Sequence, residues 1–209
     1  GYTLGILTLP CELRKIRPHL LIADTPEAGM AALFLKFLFR LPVVFDFIDD
    51  YSLIASYDGK KLRHRAIQWL ERKLPSCADQ VVVVTREMEQ FCLDNGVSRD
   101  RLHHVTNGVD TKVFFPMTAP GSGAFSSSVD GEKVVLYRGK MDVYYRVDRL
   151  LRAVPAVLDE IPATRFLMVG DGKELAALKE LSVKLGIQKA VRFTGMVPQD
   201  QLNRYISSA

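Results

Sequence analysis

The sequence predicts an α/β protein made of two parallel βαβ domains, and three observations carry that prediction. Apolar runs of strand length alternate with helical patterns along all 209 residues. Some of these runs, 81–84 above all (VVVV), are continuously apolar, as expected of strands covered on both faces. Between the halves, residues 117–132 (MTAPGSGAFSSSVDGE) are rich in Gly, Ser and Pro and lack any apolar period, which is linker chemistry. The expected organisation is a first domain over 1–117, a linker over 118–132 and a second domain over 133–209. Ligands of such sheets are expected at the carboxyl ends of the strands.

In the first half, strands are expected at 19–24, 43–47, 80–85 and 103–106, with helices over 26–40, 60–74 and 86–95. Thr25, Pro26 and Glu27 supply a cap, a first-turn proline and an early acid for the first helix. Its apolar stretch, 29–41, is broken by Lys36 and Arg40 and is too short to span a bilayer. In the second half the expected order is strand 133–138, helix 147–160, strand 165–169, helix 173–185, strand 190–194 and helix 198–208. Pro155 inside the first of these helices removes one backbone bond and should kink it.

Composition excludes several classes. Apolar residues make up 48% of the chain, enough for real cores, and 28 basic against 24 acidic residues give a net charge of only +4. That balance does not call for a nucleic-acid partner. Cys11, Cys77 and Cys92 are widely spaced and odd in number, so they read as reduced thiols. The four histidines have no partner spacing that suggests zinc, and no metal is expected. No Walker loop, GxGxxG run or Ser-His-Asp order is present.

The chemistry concentrates at the strand ends of the second half. Gly139 and Lys140 end the strand 133–138, and Arg146 follows at the mouth of a helix. Breaking a sugar–diphosphate bond builds negative charge on the leaving phosphate, which fixed cations and helix N-terminal N–H groups can meet. Lys140 would serve as a point charge and Arg146 as a planar fork; both also fit a solvated surface loop. Gly170, Asp171 and Gly172 sit at the next strand end, either approaching a ligand or forming a plain tight turn in which Asp171 caps the following helix. Gly195, Met196 and Val197 end the third strand, presenting backbone groups to a nucleobase or simply terminating the strand. In the first half, Asp46, Asp49 and Asp50 follow a strand end, where one could orient an acceptor hydroxyl or cap a solvated turn. The basic helix from Lys60 to Lys73 places Leu62, Ala66, Trp69 or Leu70, and Leu74 on one stripe. It reads either as a core helix with a charged outer face or as a peripheral contact with anionic lipid.

Taken in order, NGVD with a following aromatic and Pro (107–116), YRGK with a cation six residues on, LLRA, FLMVGDG and VRFTGMV resemble the group 1 glycosyltransferases. The resemblance runs from about Arg17 to the end of the chain. It implies two Rossmann-like domains in the GT-B architecture. The implied activity is retaining transfer of a hexose from a nucleotide diphosphate sugar, the co-substrate, to a glycan or lipid-linked acceptor, without a metal cofactor. By that resemblance Lys140 and Arg146 are the diphosphate cations, in swapped order, with Val147 where the family carries glycine. Gly139, Gly170–Gly172 and Gly195–Val197 would line the nucleotide, Asp46 and Asp49 the acceptor side, and Asp110 with the linker the hinge. The reduced thiols suit a cytoplasmic enzyme and the basic helix Lys60–Lys73 a peripheral contact at the inner membrane face, with polysaccharide biosynthesis the expected setting.

The chain opens on Gly1 and stops at Ala209 within a helical pattern, so an internal piece of a longer protein is expected, inactive alone. The family's acceptor loop and its glutamate pair would lie outside it. Two other readings stand beside the transferase: a GT-B sugar-nucleotide epimerase, and a non-catalytic nucleotide- or partner-binding module.

Overall fold

The computed structural model describes residue 9, residues 11–117, residues 132–207 and residue 209. The expected linker, 118–132, lies outside the described residues apart from Glu132. The chain divides into two compact units, Gly1–Gly108 and Val109–Ala209. The division thus precedes the boundary expected at 117. The reason is packing: Phe114 joins a core cluster of the second unit, and the Phe115 carbonyl accepts from Asn203 Nδ2 at 3.0 Å.

The first unit is a four-stranded parallel sheet in the order β1 (Leu21–Ala23), β2 (Val43–Phe47), β3 (Gln80–Val83), β4 (Leu102–His104). Helix α1 (Pro26–Phe39) connects β1 to β2. It starts where the Thr25 hydroxyl accepts from the Ala28 N–H at 3.2 Å. Helices α2 (Tyr51–Ser56) and α3 (Lys61–Cys77) connect β2 to β3, and α4 (Arg86–Asp94) follows β3. Alternate residues of β2, namely Val43, Phe45 and Phe47, bury against Val81, Val83, Leu74 and Cys92. Burial in this core pushes the Cys92 thiol up to about 12, so it is an inert packing group.

Two expectations are corrected here. The segment after β2 is helix α2 instead of a simple solvated turn, because Asp50 Oδ1 accepts from the Leu53 N–H at 2.7 Å and caps it. The stripe of Leu62, Ala66 and Trp69 on α3 also faces solvent, with Leu62 84% and Trp69 61% exposed. The buried stripe of α3 is Ile67, Glu71, Leu74 and Pro75, which lies across the helix from it.

The second unit is a three-stranded parallel sheet in the order β5 (Lys133–Arg138), β6 (Thr164–Val169), β7 (Val191–Gly195). Helix α5 (Val147–Glu160), which contains Pro155, and α6 (Leu175–Lys184) are the crossovers, and α7 (Gln199–Ile206) closes the unit. The period of two in β6 divides the core. Phe166 and Met168 face Leu151, Val154 and Leu178, while Leu167 and Val169 face Leu202, Phe114 and Leu136. Both faces of this sheet are therefore covered. Among the described residues no helix is long and apolar enough to cross a membrane.

Candidate functional site

The three carboxyl ends of the second sheet are stitched together through the backbone. The Gly139 N–H donates to Val169 O at 3.0 Å, and the Gly170 N–H donates to Gly195 O at 3.0 Å. The loop after β5 is then tied to the loop after β6 by Met141 N–H to Asp171 O (2.9 Å) and Glu174 N–H to Met141 O (2.9 Å). Gly170, at φ 139°, and Gly172 are both needed for this approach: a Cβ on Gly170 would overlap the Gly139 carbonyl, and one on Gly172 would overlap the Met141 backbone. Met141 is fully buried, anchoring the middle of the 139–146 loop in the core below.

Both predicted cations belong to that anchored loop. Lys140 is exposed, and its carbonyl accepts from the Tyr137 hydroxyl at 2.6 Å, which fixes the backbone there. A 3-10 turn (Val143–Tyr145) leads to Arg146, which adopts the left-handed conformation (φ 52°) and opens the 14-residue helix α5. A side chain in that conformation costs about 1–2 kcal/mol. Val147 follows as the first helical residue and is buried beside Met141 and Leu151. The Arg146 guanidinium donates twice to Asp148, from Nε to Oδ1 at 3.0 Å and from Nη2 to Oδ2 at 3.2 Å. That hydrogen bonding, with the charges of Arg146 and Arg152, holds the Asp148 carboxyl below the usual aspartate range. The arrangement puts an exposed ammonium on the loop that leads into α5 and an oriented guanidinium on the residue that opens that helix, at the positive end of its dipole.

The remaining predicted residues divide. Gly139, Gly170, Gly172 and Gly195 all lie in the stitched cluster. Met196 projects from its rim, 77% exposed. Val197 instead packs on the cluster formed by Leu167, Val169 and Leu202, so only its backbone is available to a ligand. Asp171 does not cap α6; its Oδ1 accepts from the adjacent Gly172 N–H at 2.7 Å, and α6 starts later, at Leu175. Asp142, which sequence reasoning passed over, crosses between loops instead, accepting from the Lys173 N–H at 2.9 Å. An acid directly after the buried Met141 is the signal that could have marked it.

In the first unit, a cavity of about 300 Å³ opens at the ends of β2 and β3, lined by Phe47, Asp50, Ser52, Glu71, Thr85 and Met88 among others. Asp46 and Asp49 do not line it. Asp46 is the fourth residue of β2, on the opposite side from Phe45 and Phe47, and Asp49 is exposed beyond the strand. Glu71, also missed, is 3% exposed and accepts from the Ser52 N–H at 3.0 Å. His64 Nδ1 meets the Ser52 carbonyl at 2.9 Å, which requires the proton on Nδ1. Burial raises the Glu71 carboxyl above its ordinary value, against the hydrogen bonds from Ser52. Among the described residues no three His, Cys, Asp or Glu side chains gather as a metal site.

Comparison with known proteins adds the family. The model of the glycosyl transferase 4-like domain matches residues 4–108, and that of glycosyl transferases group 1 matches residues 124–209. Among curated proteins, the D-inositol 3-phosphate glycosyltransferase of Mycolicibacterium smegmatis is 30% identical over 157 residues, covering 72% of this chain and 35% of that protein. The GDP-mannose-dependent alpha-(1-6)-phosphatidylinositol monomannoside mannosyltransferase of the same organism is 29% identical over 133 residues, covering 63% of this chain and 35% of that protein. The chain thus spans about a third of the length of these relatives. Among solved structures, sucrose-phosphate synthase from Thermosynechococcus elongatus superposes with a TM-score of 0.81 at 20% identity, covering 98% of this chain and 52% of that one. Anabaena HepE in complex with UDP-glucose gives 0.65 at 19% identity, covering 88% of this chain and 50% of that one. With both halves matched in sequence and the parallel sheets matched in structure, the chain belongs to the group 1 glycosyltransferases and has the fold of the GT-B enzymes.

Proposed function

We propose that the second unit binds a nucleotide diphosphate sugar at the joined ends of β5, β6 and β7, and that the longer protein transfers its hexose, with retention, to a glycan or lipid-linked acceptor. The observation that carries this reading is the placement of Lys140 and Arg146 on one core-anchored loop at the N-terminus of α5. As the bond between the sugar C1 and the diphosphate oxygen breaks, charge grows on the diphosphate. Lys140, a guanidinium edge of Arg146 and the first N–H groups of α5 are fixed donors for that charge, so no metal cofactor is assigned. Gly139, Gly170 and Gly195 let the nucleotide approach the backbone, with Asp171 and Met196 on the rim. Asp46 and Asp49 remain acceptor-side candidates, with Asp50 and Glu71 nearer the cavity.

The relatives support the donor and acceptor classes. HepE has been solved with UDP-glucose and with UDP. The names of the two curated relatives include GDP-mannose on the donor side, and phosphatidylinositol monomannoside and D-inositol 3-phosphate on the other. The test is the double substitution Lys140→Ala with Arg146→Ala in the full-length protein, followed by release of nucleotide diphosphate from nucleotide sugars and by circular dichroism. Turnover should vanish with the fold intact; turnover at the parent rate overturns the roles given to these residues.

A further inference from the structure

Helix α3 carries two faces of opposite chemistry. Its inner face is Ile67, Glu71, Leu74 and Pro75. On the outer face Leu62, Arg65, Ala66, Trp69, Arg72 and Lys73 are all exposed, at spacings of three, four and seven residues that make one stripe. The charge on this stripe has a single sign. Glu71 is the helix's sole acid and is turned inward onto the Ser52 N–H. Arg63 is neutralised by Asp58 and Glu27, whereas Lys61, Arg65, Arg72 and Lys73 have no acidic partner among the described residues.

An anionic bilayer surface complements both parts of such a face. Headgroups take the cations, and the headgroup–acyl boundary takes an indole and an aliphatic side chain. A nucleic acid would use the same cations but would leave Leu62, 84% exposed, in water. We infer that the outer face of α3 is a docking surface for anionic lipid, with the helix lying along the membrane and Trp69 and Leu62 entering the boundary region. The inference is independent of the donor-site reading, because it uses no residue of the second unit.

Trp69 is the chain's single tryptophan, so its emission reports on this face alone. The experiment mixes the chain with phosphatidylcholine vesicles, with and without phosphatidylglycerol, and follows sedimentation together with quenching of Trp69 by brominated acyl chains. Binding to the phosphatidylglycerol vesicles only, with a blue shift and quenching, is expected. Arg65→Glu with Arg72→Glu should weaken it at least about tenfold, since each basic residue near a charged surface contributes to partition. High salt should weaken it too, and Leu62→Ser should reduce quenching while circular dichroism stays unchanged. The inference is overturned if vesicles sediment the chain without quenching Trp69, if Phe34→Ser with Phe37→Ser on α1 abolishes binding while the arginine pair does not, or if Trp69 responds to single-stranded nucleic acid and not to vesicles.

Discussion

Gly170 lies directly against the carbonyl oxygen of Gly139, with no space for a Cβ, and its φ of 139° is one that side chains rarely adopt. Both constraints have one cause. The end of β6 is bonded on one side to the loop after β5 and on the other to Gly195, so the backbone must turn sharply between two neighbours. Alanine at 170 has to push the Gly139–Lys140 segment away. Gly170→Ala is expected to cost about 2–3 kcal/mol of stability through strain and overpacking, and to weaken nucleotide diphosphate binding in parallel. Urea unfolding and thermal shift with UDP or GDP measure the two effects; a variant as stable as the parent contradicts the packing.

Arg146 separates structure from chemistry differently. Its left-handed backbone is costly for arginine and free for glycine, while its two bonds to Asp148 form a half-exposed ion pair. Relief of strain and loss of the pair should nearly cancel, so Arg146→Gly is expected to change stability by less than about 1 kcal/mol. Nucleotide diphosphate affinity should fall at least about tenfold, the usual worth of one charge-assisted phosphate contact. Calorimetric titration beside a melting curve checks both. Affinity equal to the parent's would leave Lys140 as the sole cation of the site.

Strands β2 and β5 were legible to the residue, because Pro42 and Asp49-Asp50 bracket the first, and Glu132 and Gly139 the second. Helix α2 was not, since an acid after a strand caps a turn and a helix equally well until the three following residues are placed. For α3 the pattern held two apolar stripes, Leu62–Ala66–Trp69 and Ile67–Leu70–Leu74, and only contact with the Phe45 and Val81 core decides which is buried. The order of strand-end loops was readable in the site. The stitching between them was not, because it depends on the register of β5, β6 and β7; the Asp171 side chain, expected to cap the following helix, bonds the adjacent Gly172 N–H, and Asp142 makes the bond across to Lys173.

Glu71 yields a pH prediction. Its carboxyl is raised above 4.5, chiefly by burial, so the native state binds its proton more tightly than the unfolded chain does. Its contribution to stability is therefore complete below pH 4.5 and is lost as pH rises through the raised native value. Glu71→Gln keeps the acceptor for the Ser52 N–H without the charge. The variant is expected to melt above the parent at pH 8 and level with it below pH 4.5. Melting curves across that range decide it, and a variant less stable than the parent at pH 8 would mean that the ionised carboxylate is required to hold α2.

Asp79 should show the opposite sign. Its carboxylate joins α1 to the start of β2, accepting from Lys36 Nζ at 2.7 Å and from the Val43 N–H at 2.7 Å. The Lys36 hydrogen bond leads in drawing its titration below the ordinary 3.8. A depressed native value means the contribution is fully present above pH 3.8 and disappears as pH falls through it. With 41% of the side chain exposed, solvent screens the ion pair, and the bond to the Val43 N–H carries most of the effect. Asp79→Ala is accordingly expected to cost about 1–2 kcal/mol at pH 7, with the gap to the parent closing as pH drops below 3.8. Asp79→Asn, which can still accept from Val43 but has no charge for Lys36, should recover more than half of the loss at pH 7. Recovery of none of it would assign the stability to the ion pair instead of the backbone bond.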